Sequence, residues 1–246
     1  MGKSLRYLFC KFIIILLLSC NIYLNKEKIF SFISKDFSKD TFKLYYFKTN
    51  GRAAVIKALF SYSKVKFENI FVDSNWKELK KNTALFEFGQ VPILVHNDKI
   101  LSQSKAIFVY LARLFDLYGK NIDDKYQIDS LLSSYDDISK YYTPLFFPKT
   151  DDEKNNKEKY KEIYRNELKR FFGIYEERYK KLGKGKYYLG NYFSLADIYL
   201  AINMNVFSKT VGGFQFIKNN APKLSELLER LRNQELKEFF EKYYYE

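Results

Sequence analysis

The stretch 88–107, F-G-Q-V-P-I-L-V-H-N-D-K-I-L-S-Q-S-K-A-I, leaves little choice of local structure. Residues 91–95 form a short apolar run of β type. His96, Asn97 and Asp98 supply turn residues, and Lys99, Ile100 and Leu101 return as a second strand. The pattern predicts a hairpin, without the glycine that marks the tightest turns. Behind it, Ile107, Tyr110, Leu111 and Leu114 recur at helical spacing. A serine ahead of such a run is a good N-cap.

Pro92 sits at the mouth of the first strand. A proline removes a ladder donor, so this position belongs at an edge or in a turn. If the Val91–Pro92 bond is cis, the chain turns sharply and leaves the Val91 N–H and C=O free to pair with an extended peptide. The helix N-terminus beside it carries Gln103 and Ser104, and free N–H groups with the helix dipole suit a carboxylate. Together they describe a site for a small anionic peptide. The same residues also fit an ordinary βα turn stiffened by proline.

The 246 residues allow two small domains or one large one. Apolar content of 47% excludes a disordered chain. The net charge of +13 comes from scattered lysines among Asn, Ile, Tyr and Phe. No arginine-rich stripe, zinc-finger spacing or aromatic ribonucleoprotein motif accompanies it, so nucleic acid is not an expected partner.

The first 40 residues stand apart. Lys3, Arg6 and Lys11 precede an apolar run at residues 12–18. This is the order of a secretory signal, and the run is shorter than a membrane span requires. No Ala-x-Ala site follows, which leaves retention as an anchor open. The expected localisation is therefore the secretory pathway or a membrane surface. Both cysteines, Cys10 and Cys20, lie in this leader, and the only histidine is His96 in the predicted turn. The rest of the chain therefore has no disulfide, thiolate nucleophile, multi-histidine metal site or Ser-His-Asp triad.

Residues 43–47 alternate as a strand, 52–60 read as a helix, 66–71 as a second strand and 76–80 as a short helix. With the hairpin and the helix behind it, the order is β-α-β-(short α)-β-β-α. A right-handed crossover makes the first two strands parallel, and the hairpin adds antiparallel ones. The expected fold is an α/β thioredoxin-like domain over 41–120, followed by an all-α domain over 121–246.

L-Y-Y-F-K-T-N-G-R-A at 44–53, then Trp76 and Lys80, then G-Q-V-P-I-L and L-S-Q-S-K-A-I, occur in an order and spacing that strongly resemble a cytosolic-type glutathione transferase. The tyrosine-type classes, sigma above all, are the most similar. The resemblance implies glutathione as co-substrate with no further cofactor, a hydrophobic electrophile as second substrate, and a homodimer. It implies a cis Pro92, and Tyr46 as the catalytic residue whose hydroxyl binds the glutathione sulfur. Arg52 supports that site. Trp76 and Lys80 hold the glycine end, Gln90 and Val91 form the backbone-pairing edge, and Gln103 and Ser104 clamp the γ-glutamyl group. Tyr45 is the neighbour of Tyr46 and faces the other side of the strand. A noncatalytic module of the same fold, binding glutathione, hydrophobic ligands or a partner protein, is the competing reading.

Beyond a polar linker at 119–124 every segment reads helical. Ile128, Leu131, Leu132, Tyr135 and Ile138 form an apolar stripe, and Asp129, Ser133 and Asp137 share another face. The resemblance gives Asp137 a role across a dimer interface, at the glutathione amine of the other subunit; a solvated acidic face explains it equally well. Pro144 and Pro148 are expected to break the helix, 150–158 to be charged and mobile, and 160–182 to be a long helix. Ser194 and Asp197 form a capping pair ahead of a buried helix. Tyr141, Tyr142, Phe146 and Phe147 fall where the family places its second-substrate pocket, although aromatics there also serve as core.

Overall fold

The computed structural model describes residues 36–244. The chain divides into two units, Met1–Asp40 and Thr41–Glu246. Of the first, only the last five residues are described, a turn in which the Asp40 N–H donates to the Phe37 carbonyl (3.1 Å). The expected signal or anchor lies outside the described residues.

The second unit opens with strand β1 (Phe42–Tyr46), a helical turn (Gly51–Ala53) and helix α1 (Ala54–Ser63). Strand β2 (Glu68–Phe71), short helix α2 (Trp76–Leu79), strands β3 (Ile93–His96) and β4 (Lys99–Leu101) and helix α3 (Ser104–Leu114) follow. The sheet order is β2-β1-β3-β4. β1 runs parallel to β2 and antiparallel to β3, with Tyr45 opposite Ile93. The hairpin has the predicted strands, but His96 is not in its turn. It closes β3, is 8% exposed, stacks on Phe42 at 4.2 Å and sets Nδ1 2.7 Å from the Tyr110 hydroxyl. The turn falls on Asn97, which takes φ 53°; asparagine tolerates that region because its short side chain bonds locally.

The period of two sorts β1 into faces. Phe42 and Leu44 are buried towards the helices, with Phe42 edge-on to Phe60 of α1 at 5.1 Å. Tyr46 continues that face at the strand end. Tyr45 turns the other way, into a cluster of Val72, Phe86 and Ile93.

Helices α4 (Ile122–Phe146), α5 (Asp151–Asn155), α6 (Lys157–Leu182), α7 (Leu195–Ser208), α8 (Gly213–Asn220), α9 (Pro222–Asn233) and α10 (Lys237–Tyr244) make up the remainder. The expected linker ends early: Asn121 and Asp124 form a reciprocal cap on α4, with the Asp124 N–H donating to Asn121 Oδ1 (2.9 Å). Pro144 does not break this helix. It lies in the last turn, where a proline costs a single intrahelical bond. Thr143 Oγ1 donates to the Ser139 carbonyl (2.7 Å), and buried Leu145 holds the turn against its neighbours. The charged segment at 150–158 carries helical structure: Thr150 and Glu153 cap α5, and α6 begins at Lys157.

Helix α7 is buried over every residue from 195 to 202, and an all-round apolar helix belongs at the centre of a domain. It packs on α4, α8 and α9 and on α1 of the sheet domain. Its start carries the expected capping pair. Asp197, fully buried, accepts from the Ser194 N–H (2.9 Å), the Ser194 hydroxyl (3.0 Å) and the Tyr188 N–H (2.8 Å).

A second buried carboxylate escaped sequence reading. Glu176 of α6 accepts the N–H groups of Lys223 (3.1 Å) and Leu224 (2.8 Å), capping α9 from across the domain. Two donors at a helix N-terminus, one buried and one part-buried, depend on it, so Glu176→Ala lowers unfolding free energy by about 2–3 kcal/mol in denaturant titration. A change below about 0.5 kcal/mol would show that water serves those donors equally well.

Candidate functional site

Tyr46 stands where β1 ends and the turn to α1 begins. Its hydroxyl oxygen accepts the Arg52 N–H at 2.9 Å. Gly51 makes this approach possible: at φ 33°, a Cβ there would lie 2.5 Å from the Tyr46 oxygen. Burial pushes the Tyr46 pKa up, and the Arg52 N–H and charge pull against it. The net rise keeps the phenol protonated at neutral pH, with its own hydrogen available to donate.

Gln90, Val91, Pro92, Gln103 and Ser104 line a recess beside it together with Arg52. The Val91–Pro92 bond is cis, and Val91 lies ahead of the paired part of β3. The helix end differs from the expected serine cap. Gln103 occupies the N-cap position at φ 66°, no side chain caps the helix, and Ser104 is its first residue. A non-glycine residue in the left-handed region is an uncommon conformation that clusters at functional sites. Among the described residues, no side chain is hydrogen-bonded to the first amides of α3.

The recess opens into a cleft of about 860 Å³ between the sheet domain and the helices. Tyr46, Arg52, Gln90, Val91, Gln103 and Ser104 form one side, and Tyr142 stands on the other. Tyr142 stacks on Phe146 at 4.1 Å and meets Phe207 edge-on at 5.8 Å. Phe146 is thus behind the wall, 40% exposed. Tyr141 is half-buried under the Lys140 ammonium and does not line the cleft, whereas Phe147 does.

Trp76, Lys80 and Asp137 do not line this cleft; the role expected of Asp137 is at the other subunit's site. Trp76 packs edge-on to Phe86 at 5.2 Å and to Phe47 at 5.7 Å, within the cluster that holds Tyr45. Lys80 is exposed just past α2. Asp137 is exposed and 3.6 Å from Lys140. Its neighbour Asp136 is the one in the cleft wall, 2.5 Å from Lys105 of α3.

Sequence reading missed Lys105, Phe108, Tyr135, Asn203, Val206 and Phe207 in the lining. Tyr135 was legible only as part of the α4 stripe; its ring lies 5.7 Å from the Arg52 guanidinium. Asn203 carried a signal, being one of the few polar residues of a mostly apolar helix. Its amide donates to the Tyr199 carbonyl at 3.0 Å. The wall is therefore aromatic and apolar, and the side with Tyr46 and the helix end is polar.

A thioredoxin-like domain whose cis-proline edge and helix end share a cleft with an all-helical domain defines a two-domain transferase architecture. Residues 40–113 match the glutathione S-transferase N-terminal domain and 135–235 the C-terminal domain. The chain is 34% identical over 160 residues to glutathione S-transferase A4 of Mus musculus, covering 64% of this chain and 70% of that protein. It is 29% identical to the hematopoietic prostaglandin D synthase of Mus musculus, covering 64% and 75%. Among solved structures, the monomeric Na-GST-3 of Necator americanus superposes with a TM-score of 0.70 at 28% identity, covering 82% of this chain and 97% of that one.

The chain belongs to the glutathione S-transferase family, of the cytosolic type, and its co-substrate is glutathione. These matches correct the localisation expected from the leader. Homologues in this family are typically cytosolic, and among the described residues no helix is long and apolar enough to cross a membrane.

Proposed function

We propose that this chain is a tyrosine-type, sigma-like transferase that activates the glutathione thiol for conjugation to a hydrophobic electrophile, or for its reduction or isomerisation. The observation that carries the reading is the Tyr46 hydroxyl, oriented by the Arg52 N–H at 2.9 Å with its proton still to give. A hydrogen bond to a thiolate favours the ionised form and raises the nucleophile's population at neutral pH. The Val91 edge pairs with the peptide backbone of glutathione, and the α3 N-terminus with Gln103 and Ser104 takes the γ-glutamyl carboxylate. The apolar wall around Tyr142, Phe147 and Phe207 receives the electrophile. On this reading residues 41–120 are the glutathione-binding domain and 121–246 the electrophile-binding one. Trp76 and Lys80, which do not line the cleft, are assigned to the glycine end of glutathione on the family resemblance alone.

Capture of the full chain on immobilised glutathione, followed by turnover against a panel of electrophiles, tests the reading. Capture without turnover on any of them leaves a binding module. Ser104→Ala weakens glutathione binding by about 1–3 kcal/mol in calorimetry, because a charged carboxylate loses a hydrogen-bond partner. Unchanged affinity would reduce Ser104 to a helix residue.

The homodimer belongs to the same proposal. Sedimentation velocity at micromolar concentration gives twice the chain mass, and Asp137→Ala then weakens glutathione binding through the shared site. A monomer with full activity removes the role of Asp137.

A further inference from the structure

The turn between β1 and α1 carries the group that orients Tyr46, yet it has no core of its own. From Lys48 to Arg52 no residue is buried. An exposed turn with a glycine in it has few contacts and little local stability. Its conformation nevertheless matters to a fraction of an ångström. The Arg52 N–H must meet the Tyr46 oxygen at 2.9 Å, beside a Gly51 held at φ 33°.

Hydrogen bonds from elsewhere in the chain supply what packing does not. The Lys48 N–H donates to Asp73 Oδ2 (2.7 Å). The Lys57 ammonium, buried in α1, donates to the Thr49 carbonyl (3.1 Å) and to Asn50 Oδ1 (3.2 Å). The Asn50 amide in turn donates to the Tyr243 carbonyl of α10 (2.5 Å), 193 residues along the chain. Asn50 thus uses both ends of its amide, the acceptor towards α1 and the donor towards α10. Helix α10 is a firm post for this contact. Phe239 and Phe240 anchor it in the core, and the Lys209 ammonium lies 5.3 Å from the centre of the Tyr244 ring. The Tyr243 carbonyl belongs to the last turn of α10, where carbonyls lack an intrahelical partner and the helix dipole is negative. It is available to Asn50, and the Lys57 ammonium, 5.0 Å from the centre of the Tyr243 ring, brings the complementary charge.

We propose that Asn50 is a positioning residue for thiol activation: it ties the turn before Arg52 to the C-terminal helix and so fixes the Arg52 N–H on the Tyr46 hydroxyl. Neither Asn50 nor α10 lines the cleft, and their effect passes through Tyr46. With the tie cut, the turn relaxes and Arg52 no longer holds the phenol oxygen. The phenol then samples orientations that do not aim its proton at the sulfur. The proposal rests on the role given to Tyr46 above and adds to it a dependence on the far end of the chain.

The test compares Asn50→Ala and Asn50→Asp with Tyr46→Phe in the full chain. Ultraviolet absorption of the bound glutathione thiolate is read against pH, with kcat, glutathione affinity and the denaturant midpoint measured on the same proteins. Asn50→Asp keeps an acceptor for Lys57, which offsets its charge, and loses the donor to the Tyr243 carbonyl. It therefore isolates the link to α10 and leaves the bond to α1 in place. Both Asn50 variants move the titration of the bound thiol up towards the free value of about 8.5. Turnover at neutral pH falls by about tenfold, the scale of a slight misplacement of a reacting group, and partly recovers at alkaline pH. Glutathione affinity and the denaturant midpoint change little. The proposal is overturned if Tyr46→Phe moves the thiol titration and neither Asn50 variant does. It is also overturned if turnover falls only in step with glutathione affinity or stability while the titration stays in place. If Asn50→Ala alone moves it, the bond to Lys57 suffices and the tie to α10 is refuted. A titration unmoved in Tyr46→Phe itself refutes the Tyr46 reading, and this proposal with it.

Discussion

Tyr46→Phe lowers turnover near neutral pH by about 100-fold or more, the scale of losing one preorganised donor at a developing charge. No cysteine lies in the chain after Cys20, so the reacting thiol is the one glutathione brings. A free thiol titrates at about 8.5, and at neutral pH only a few per cent is thiolate. The Tyr46 phenol is held above its ordinary pKa by burial, so it stays a donor throughout the pH range in which the thiol ionises. Removing it returns the thiol towards its free pKa. The pH–rate profile therefore shifts upward, and activity partly recovers at alkaline pH as the thiol ionises unaided. Glutathione affinity changes little, because the carboxylate and backbone contacts proposed here lie on other residues. Tyr45→Phe is the control. Its ring packs against Phe86 at 6.0 Å on the opposite face, and its loss leaves the profile in place. If both variants retain full turnover, Tyr46 is not the residue that activates the thiol.

Asp197→Ala costs about 3 kcal/mol or more of stability, read from the midpoint of denaturant unfolding. Three donors in a buried site lose their acceptor: the Ser194 N–H, the Ser194 hydroxyl and the Tyr188 N–H. Each such loss costs about 1–3 kcal/mol, and losses within one network do not simply add. The cap also begins the helix around which both domains pack, so the damage is not confined to one turn. A second signature comes from pH. Burial pushes the Asp197 carboxyl up to about 6 from an ordinary 3.8, against the hydrogen bonds that lower it. The folded chain thus binds this proton more tightly than the unfolded chain. The associated stability is complete below about pH 4 and is lost as pH rises through about 6. Asp197→Ala removes that falling slope along with the bonds. A variant that keeps the wild-type slope would assign the titration to another group.

Much of the order of elements was legible because the governing interactions are local. The alternation in Phe42–Tyr46 separates Tyr45 from Tyr46 whatever surrounds the strand. The Ser194–Asp197 spacing marks a helix start for the same reason. Errors arose where a distant contact overruled a local tendency. Pro144 reads as a helix breaker, yet packing at Leu145 carries α4 past it. His96 reads as a turn residue, yet Phe42 and Tyr110 draw it into the sheet. The expected serine cap of α3 gives way to Gln103 because the strained corner before the helix, not propensity, positions its first amides.

The roles expected of Tyr46, Arg52, Gln103 and Ser104 rested on resemblance to a family, and their residue types alone did not require them. By itself the sequence determined the strand and helix periods, the caps at Ser194 and Asp197, and the confinement of thiol chemistry to the substrate, since these depend on residues a few positions apart or on composition. Only the tertiary structure decided which residues share the cleft. Tyr46, Lys105, Tyr135, Asn203 and Phe207 come together because the buried α7 packs against both domains. The pairing of Lys105 with Asp136 and the capping of α9 by Glu176 have the same origin. Each is a contact between elements far apart in the chain, and it is set by how apolar faces exclude water together, which no local pattern encodes.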